Sequence, residues 1–124
     1  MRWKRNKYGA KKVKLDGHVF DSKAEAMRYG ELKLMEKAKE IFGLEVHPEF
    51  PIRINGIIVC IVMLDFGYLA KNFPRHCYED VKGRDNSLSR LKRKLVEAQY
   101  GINVKLIPAR ILHKSRLYRP TGRQ

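Results

Sequence analysis

The chain has 124 residues and a formal net charge of +14, and 44% of its residues are hydrophobic. This length is typical of one domain with a modest core, and we find neither an apolar run long enough to span a membrane nor a signal-peptide pattern. Cys60 and Cys77 lack CxxC spacing and the four histidines are scattered, so a zinc site is not indicated. The two cysteines are typical of buried free thiols in a reducing compartment.

The basic residues are concentrated at the two ends of the chain. Residues 1–14 contain seven basic side chains and no acidic one, and residues 105–124 contain six and none. The stretch between them is almost neutral. Such ends attract polyanions, so nucleic acid is the expected partner. We therefore divide the chain into a basic arm (1–12), a core (13–107) and a basic tail (108–124).

The first half of the core is predicted to contain a hairpin, a helix and an extended segment. Residues 13–20 alternate around a turn at Asp16-Gly17. A helix then begins at Ser22 and runs to about residue 42, with Gly43 as its end. Residues 44–54 are extended but interrupted by Pro48 and Pro51. The apolar face of the helix is predicted from Ala24, Met27, Leu34, Met35, Ala38 and Ile41.

The second half of the core is predicted to contain three strands and a helix. Strands cover residues 57–68, 76–81 and 102–107, and a helix covers 87–100. In this helix Leu88, Leu91, Leu95 and Ala98 form the predicted buried stripe, with Arg90, Arg93 and Lys94 outside. The main elements follow the order αβββαβ. They predict an α/β fold in which helices cover a mixed sheet of about four strands, the first three antiparallel and the last parallel.

Two carboxylates are predicted to face each other in this sheet. A hairpin centred near residues 72–73 would set Asp65 opposite Asp80, with Cβ atoms roughly 5 Å apart. Lys82 shares the face of Asp80, because side chains alternate along a strand. Glu79 faces the other side, and we place it on the surface or behind the site. A divalent cation such as Mg²⁺ would resolve the repulsion between the carboxylates.

These residues resemble the PD-(D/E)XK nuclease superfamily, whose site combines a helix Glu, a strand Asp and an acidic-x-Lys strand. The matching stretches are FDSKAEA (20–26), MLDF (63–66) and DVKG (80–83). NKYGAKK (6–12), ahead of FDSKAEA, more specifically resembles a family of small phage proteins catalogued as a domain of unknown function. That family is similar to phage junction-resolving endonucleases. Leu64 departs from the superfamily's Pro, and Asp80 from its commoner Glu.

The resemblance implies a restriction-endonuclease-like core and a Mg²⁺- or Mn²⁺-dependent endodeoxyribonuclease. Asp65, Asp80 and the carbonyl of Val81 would hold the metal, Glu25 a second metal or its water, and Lys82 would stabilise the phosphate. Branched DNA, a homodimer and the cytoplasm of a bacterial host are also implied. The expected DNA-binding residues are Lys4, Arg5, Lys7, Lys11, Lys12, Arg90, Arg93 and Lys94.

Other interpretations of the same residues remain open. Glu25 completes a capping box with Ser22 and could do nothing else. Asp65 could pair with a core arginine, and Asp80 with Lys82 could be a plain surface ion pair. The histidines are expected to be structural or to face phosphate. The whole chain could also be a non-enzymatic basic nucleic-acid-binding protein, or a nickase or site-specific endonuclease.

Overall fold

A computed structural model describes residues 11–72 and 76–112. Eight strands and three helices alternate along this part of the chain. In order they are β1 (Val13–Leu15), β2 (His18–Phe20), α1 (Lys23–Lys37), β3 (Ile41–Val46), β4 (Glu49–Ile54), β5 (Ile57–Met63), β6 (Phe66–Ala70), β7 (His76–Lys82), α2 (Ser87–Tyr100), β8 (Val104–Pro108) and α3 (Ala109–Leu112). The predicted β1–β2 hairpin is confirmed.

The main sheet has four strands in the order β3-β6-β7-β8. β6 is antiparallel to both of its neighbours, β3 and β7, and β8 returns through α2 to lie parallel to β7. The predicted mixed sheet of four strands is therefore confirmed. A long connection that includes a helix is what a parallel neighbour requires.

The prediction of one continuous strand over residues 57–68 is wrong, because the strand is interrupted at Leu64 and Asp65. β5 before the break pairs with β4 in a separate two-stranded sheet, whereas β6 after it joins the main sheet. The extended segment 44–54 is divided in the same way, between β3 and β4. Its two halves belong to different sheets because His47 adopts a left-handed φ of 58° and turns the chain.

Helix α1 begins as predicted but ends five residues early. The Ser22 hydroxyl caps it by accepting from the Glu25 N–H. It ends at Lys37, since Lys39 has a φ of 63° and Ile41 already pairs with Ala70 of β6. The predicted apolar face was also partly wrong. The side chains of Tyr29 and Leu32 are buried, while that of Leu34 is half exposed.

Helix α2 has the predicted bounds but not the predicted buried stripe. Asn86 caps its start and Gly101, with a φ of 66°, ends it. Only Val96 is fully buried, whereas Leu88 is 58% exposed. α2 packs against the narrow β4–β5 hairpin, so little of its length is covered. Arg93 was expected outside, but its side chain is only 12% exposed and is held by Asp85.

Two apolar clusters lie on opposite faces of the main sheet. The α1 face is packed by Phe20, Met27, Leu32, Phe66 and Tyr68, among others. The second cluster joins β4, β5 and α2 to the other face. Leu112 of α3 is buried in the first cluster, so packing continues past residue 107, where we placed the end of the core. Within the described residues, no helix is long and apolar enough to cross a membrane.

Candidate functional site

The register of β6 and β7 brings Asp65 and Asp80 together. Phe66 lies opposite Glu79, and the Asp65 N–H donates to the Glu79 carbonyl at 3.2 Å, so Asp65 faces Asp80 one step further along. The carboxyl group of Asp80 is close enough to that of Asp65 to raise its pKa. Asp65 lies in the short connection between β5 and β6, where the chain leaves the β4–β5 hairpin, and not in the middle of a strand.

The carboxyl of Asp65 is oriented by the backbone of β7. The Val81 N–H donates to Asp65 Oδ2 at 2.7 Å. The carbonyl of Val81, expected to bind a metal, stays a prediction; its N–H is the group that contacts Asp65. Lys82 follows on the face of Asp80, and its Nζ lies 3.4 Å from Asp80 Oδ2.

Glu25 enters the site from the first turn of α1. It is buried, and its Oε1 accepts from the Asp21 N–H at 3.3 Å. Ser22 and Glu25 thus form the helix-start motif predicted from sequence, displaced by one residue from the usual capping box. Burial first, and then the charges of Asp21 and Asp80, raise the pKa of Glu25 to about 7. Its capping role does not prevent it from lying among the other carboxylates.

The pKa of Asp65 is raised further, to about 8. Burial is the largest cause, followed by the negative charges of Glu25 and Asp80. The Val81 N–H bond acts in the opposite direction without compensating for these effects. Three acids from three segments of the chain therefore lie close together. If all three were ionised, the site would carry an excess of negative charge.

His47 is a member of this group that the sequence did not identify. One ligand atom each from Glu25, His47 and Asp65 lie within 4.8 Å of one another. The backbone N–H of His47 donates to the backbone carbonyl of Asp65 at 2.9 Å, and the His47 ring packs on Phe20. Burial lowers the pKa of His47, which favours the neutral imidazole that can act as a ligand. A histidine just before Pro48 at a strand end was the only sequence signal.

Glu79 was expected on the surface or behind the site, and the surface alternative is wrong. Its side chain is completely buried on the α1 face of the sheet. Arg28 of α1 donates two hydrogen bonds of 2.7 Å to it and a third of 2.9 Å to Glu31. Tyr68 also donates to Glu79. Burial lowers the pKa of Arg28, but the hydrogen bonds and negative charges of Glu79 and Glu31 have the larger effect and raise it. This network ties α1, which carries Glu25, to β7, which carries Asp80.

The expected DNA-binding side chains divide into three groups. Lys4, Arg5 and Lys7 lie outside the described residues. Lys11, Lys12, Arg90 and Lys94 are exposed, although Lys12 pairs with Asp21 at 2.9 Å. Arg93 is held by two hydrogen bonds to the Asp85 carboxylate, of 2.8 and 2.6 Å. Arg93 therefore stabilises the loop after β7 in this structure.

A family model described as "Protein of unknown function (DUF1064)" matches residues 5–115. The chain belongs to the DUF1064 family. The DUF1064 match includes Glu25, His47, Asp65, Asp80 and Lys82, so the whole cluster lies within the family domain. Neither the curated proteins nor the solved structures contain a match to the chain.

Proposed function

We propose that the protein is a metal-dependent endodeoxyribonuclease that hydrolyses phosphodiester bonds in DNA. The observation that carries this proposal is the convergence of Glu25, Asp65 and Asp80 beside Lys82, from three separate segments of the chain. Acids crowded enough to raise two pKa values are costly unless they serve a site, and such shifts concentrate at functional sites.

The donor atoms fit a divalent cation. Carboxylate oxygens suit Mg²⁺ and Mn²⁺, and the neutral imidazole of His47 adds a donor that suits transition metals. When bound, such a cation supplies a Lewis acid for the scissile phosphate and lowers the pKa of a water. The crowding of Glu25 and Asp65 gives the site its affinity for positive charge.

The remaining residues have roles in orientation and charge stabilisation. The Val81 N–H holds one oxygen of Asp65, and the carboxyl group remains close enough to Glu25 and Asp80 for their charges to act on it. Lys82, positioned by Asp80, would donate to the phosphate and stabilise the charge that develops on it. Arg28 and Glu79 would keep α1 and β7 at a constant separation.

The order of α1, the antiparallel strands, α2 and parallel β8 supports a restriction-endonuclease-like core of the PD-(D/E)XK type. We propose branched DNA as the substrate and a homodimer as the active form, because two paired cuts need two sites. The exposed basic side chains and the basic ends would contact phosphates rather than bases, so selection would follow the shape of the DNA.

Nicking of supercoiled plasmid tests the activity. We expect the wild-type protein to nick with Mg²⁺ or Mn²⁺ and to stop with EDTA. Asp65→Asn, Asp80→Asn and Lys82→Ala should each lose at least about 100-fold in rate. Glu40→Gln is the matched control for Asp65→Asn, because it removes one negative charge from an exposed turn outside the site. Nicking by all three site variants at the wild-type rate would exclude this assignment.

The charge of +14 favours a second candidate, a non-enzymatic nucleic-acid-binding protein. That protein would bind DNA tightly and leave plasmid intact under every metal condition.

Substrate choice is tested separately by competition binding in Mg²⁺-free buffer. The proposal predicts tighter binding to a four-way junction than to linear duplex of the same sequence. Equal binding, with cleavage retained, would leave a nickase or a general endonuclease.

A further inference from the structure

Strand β5 exposes both an edge and a face. Its sequence, IIVCIVM, contains no charged residue, proline or glycine. Five of its seven side chains are exposed, from 48% at Ile58 to 67% at Ile57. The exposed set is Ile57, Ile58, Val59, Ile61 and Met63. Among the described residues, β5 pairs with β4 and with no other strand.

The outer edge of β4, in contrast, is protected. Pro51 has no N–H to offer, and its carbonyl accepts from Gln99 Nε2 at 2.9 Å and from Tyr100 Oη at 2.6 Å. The Arg53 N–H donates to Gln99 Oε1 at 2.9 Å. Proline, charge and side-chain caps are the devices by which proteins prevent edge pairing. They are present on β4 and missing from β5.

The backbone of β5 is correctly oriented to accept another strand. Ile61 lies opposite Pro51. Because the polar groups of Pro51 point away from β5, those of Ile61 point away from β4, as antiparallel geometry requires. The backbone N–H and C=O of Met63, two residues further along β5, point in the same direction as those of Ile61. A row of N–H and C=O groups therefore faces outwards, flanked by aliphatic side chains.

We propose that β5 pairs with β5 of a second copy of this chain, antiparallel and about a two-fold axis. The result is a continuous four-stranded sheet of β4 and β5 from one protomer and their equivalents from its partner. An antiparallel strand pair is self-complementary, so one patch serves both subunits. The strand end at Met63 lies two residues from Asp65, so this dimer also sets the two candidate sites at a constant separation.

Charge and area favour a second copy over other occupants. Two chains of net charge +14 repel each other through their basic residues, but β5 carries no charge. Nucleic acid would find no donor side chains on this strand. The exposed side chains present several hundred Å² of apolar surface, a suitable centre for an interface of roughly 800 Å² per partner.

Sedimentation velocity without DNA or metal tests the interface independently of any nuclease activity. We expect a dimer for the wild type, and for Ile61→Lys a dissociation constant raised by about 10-fold or more, because two ammonium groups would lie on one face of the new strand pair and repel each other. Leu34→Lys is the matched control. Leu34 on α1 is 50% exposed, close to the 54% of Ile61, and its replacement should leave the dimer intact. A wild type that is monomeric up to about 100 µM, or an open-ended oligomer, would overturn the proposal.

Amide hydrogen exchange on the wild type distinguishes edge pairing from face packing. We expect slow exchange at Ile61 and Met63, since their N–H groups would bond to the partner strand. Fast exchange at both amides in a dimer would overturn strand pairing, and this measurement stands even if the Ile61→Lys chain folds poorly.

Discussion

The Val81 N–H and Asp65 Oδ2 are joined by a 2.7 Å hydrogen bond across the β6–β7 edge. One oxygen of Asp65 is thereby held by the backbone, while its carboxyl group remains close enough to Glu25 and Asp80 for their charges to raise its pKa. The chain thus holds an acid in an environment that disfavours its ionisation.

The metal-free protein should lose stability as the pH rises. Glu25 and Asp65 have pKa values of about 7 and 8 in the folded state, against ordinary values of 4.5 and 3.8. The folded state therefore keeps protons that the unfolded state releases, so the free energy of unfolding falls between about pH 4 and pH 8. Mg²⁺ or Mn²⁺ at pH 8 should recover the loss.

Thermal unfolding in EDTA measures this effect, with Asp65→Asn for comparison. The variant should melt on the order of 5 °C higher than the wild type at pH 8, since about 1 kcal/mol shifts a domain of this size by that much. The two should approach each other at pH 5, where Asp65 is protonated. Parallel curves at all pH values would show that Asp65 is not the titrating group.

Removal of Arg28 should be among the most damaging changes in the core. Arg28→Ala leaves the buried carboxylate of Glu79 without its main partner, and this typically costs about 3 to 5 kcal/mol. Urea denaturation measures the loss. Arg28→Leu combined with Glu79→Leu should recover part of it, because the uncompensated charge is gone. A double variant that is less stable than Arg28→Ala would contradict this explanation.

Two glycine substitutions should change stability in opposite directions. A Cβ on Gly67 would lie 2.7 Å from Tyr78 Cε1, and the Tyr78 ring is held by Phe50 and His76. Gly67→Ala should therefore cost about 1 to 3 kcal/mol. Gly30 lies within α1 with open space around it, so Gly30→Ala should stabilise by roughly 0.5 to 1 kcal/mol. Chemical denaturation of both variants checks the signs, and equal effects would refute the packing argument.

The geometry of the acidic pair was predictable, but the support around it was not. Strand alternation and hairpin counting set Asp65 opposite Asp80, because both depend only on spacing. The burial of Glu79 depends on which face α1 covers and on Arg28, 51 residues away in sequence. The break at Leu64 was concealed because residues on both sides of it have strand propensity. His47 reaches the site through a turn whose positive φ the sequence did not indicate.

Deletion of residues 1–10 should weaken DNA binding. The segment contains Arg2, Lys4, Arg5 and Lys7. If all four contact phosphates, the slope of log K against log salt should become shallower by about 3 to 4 units. Binding titrations at several salt concentrations measure this. An unchanged slope would show that these residues do not contact DNA.

Paramagnetic broadening by Mn²⁺ measures whether a divalent cation binds between Glu25, Asp65 and Asp80. In amide NMR spectra of the wild type, substoichiometric Mn²⁺ should first broaden the signals of His47, Asp65 and Val81, and signals from the exposed end of α1, such as Lys37, should persist. Asp65→Asn should remove this selective broadening. Broadening centred elsewhere, or an identical pattern in Asp65→Asn, would contradict the claim.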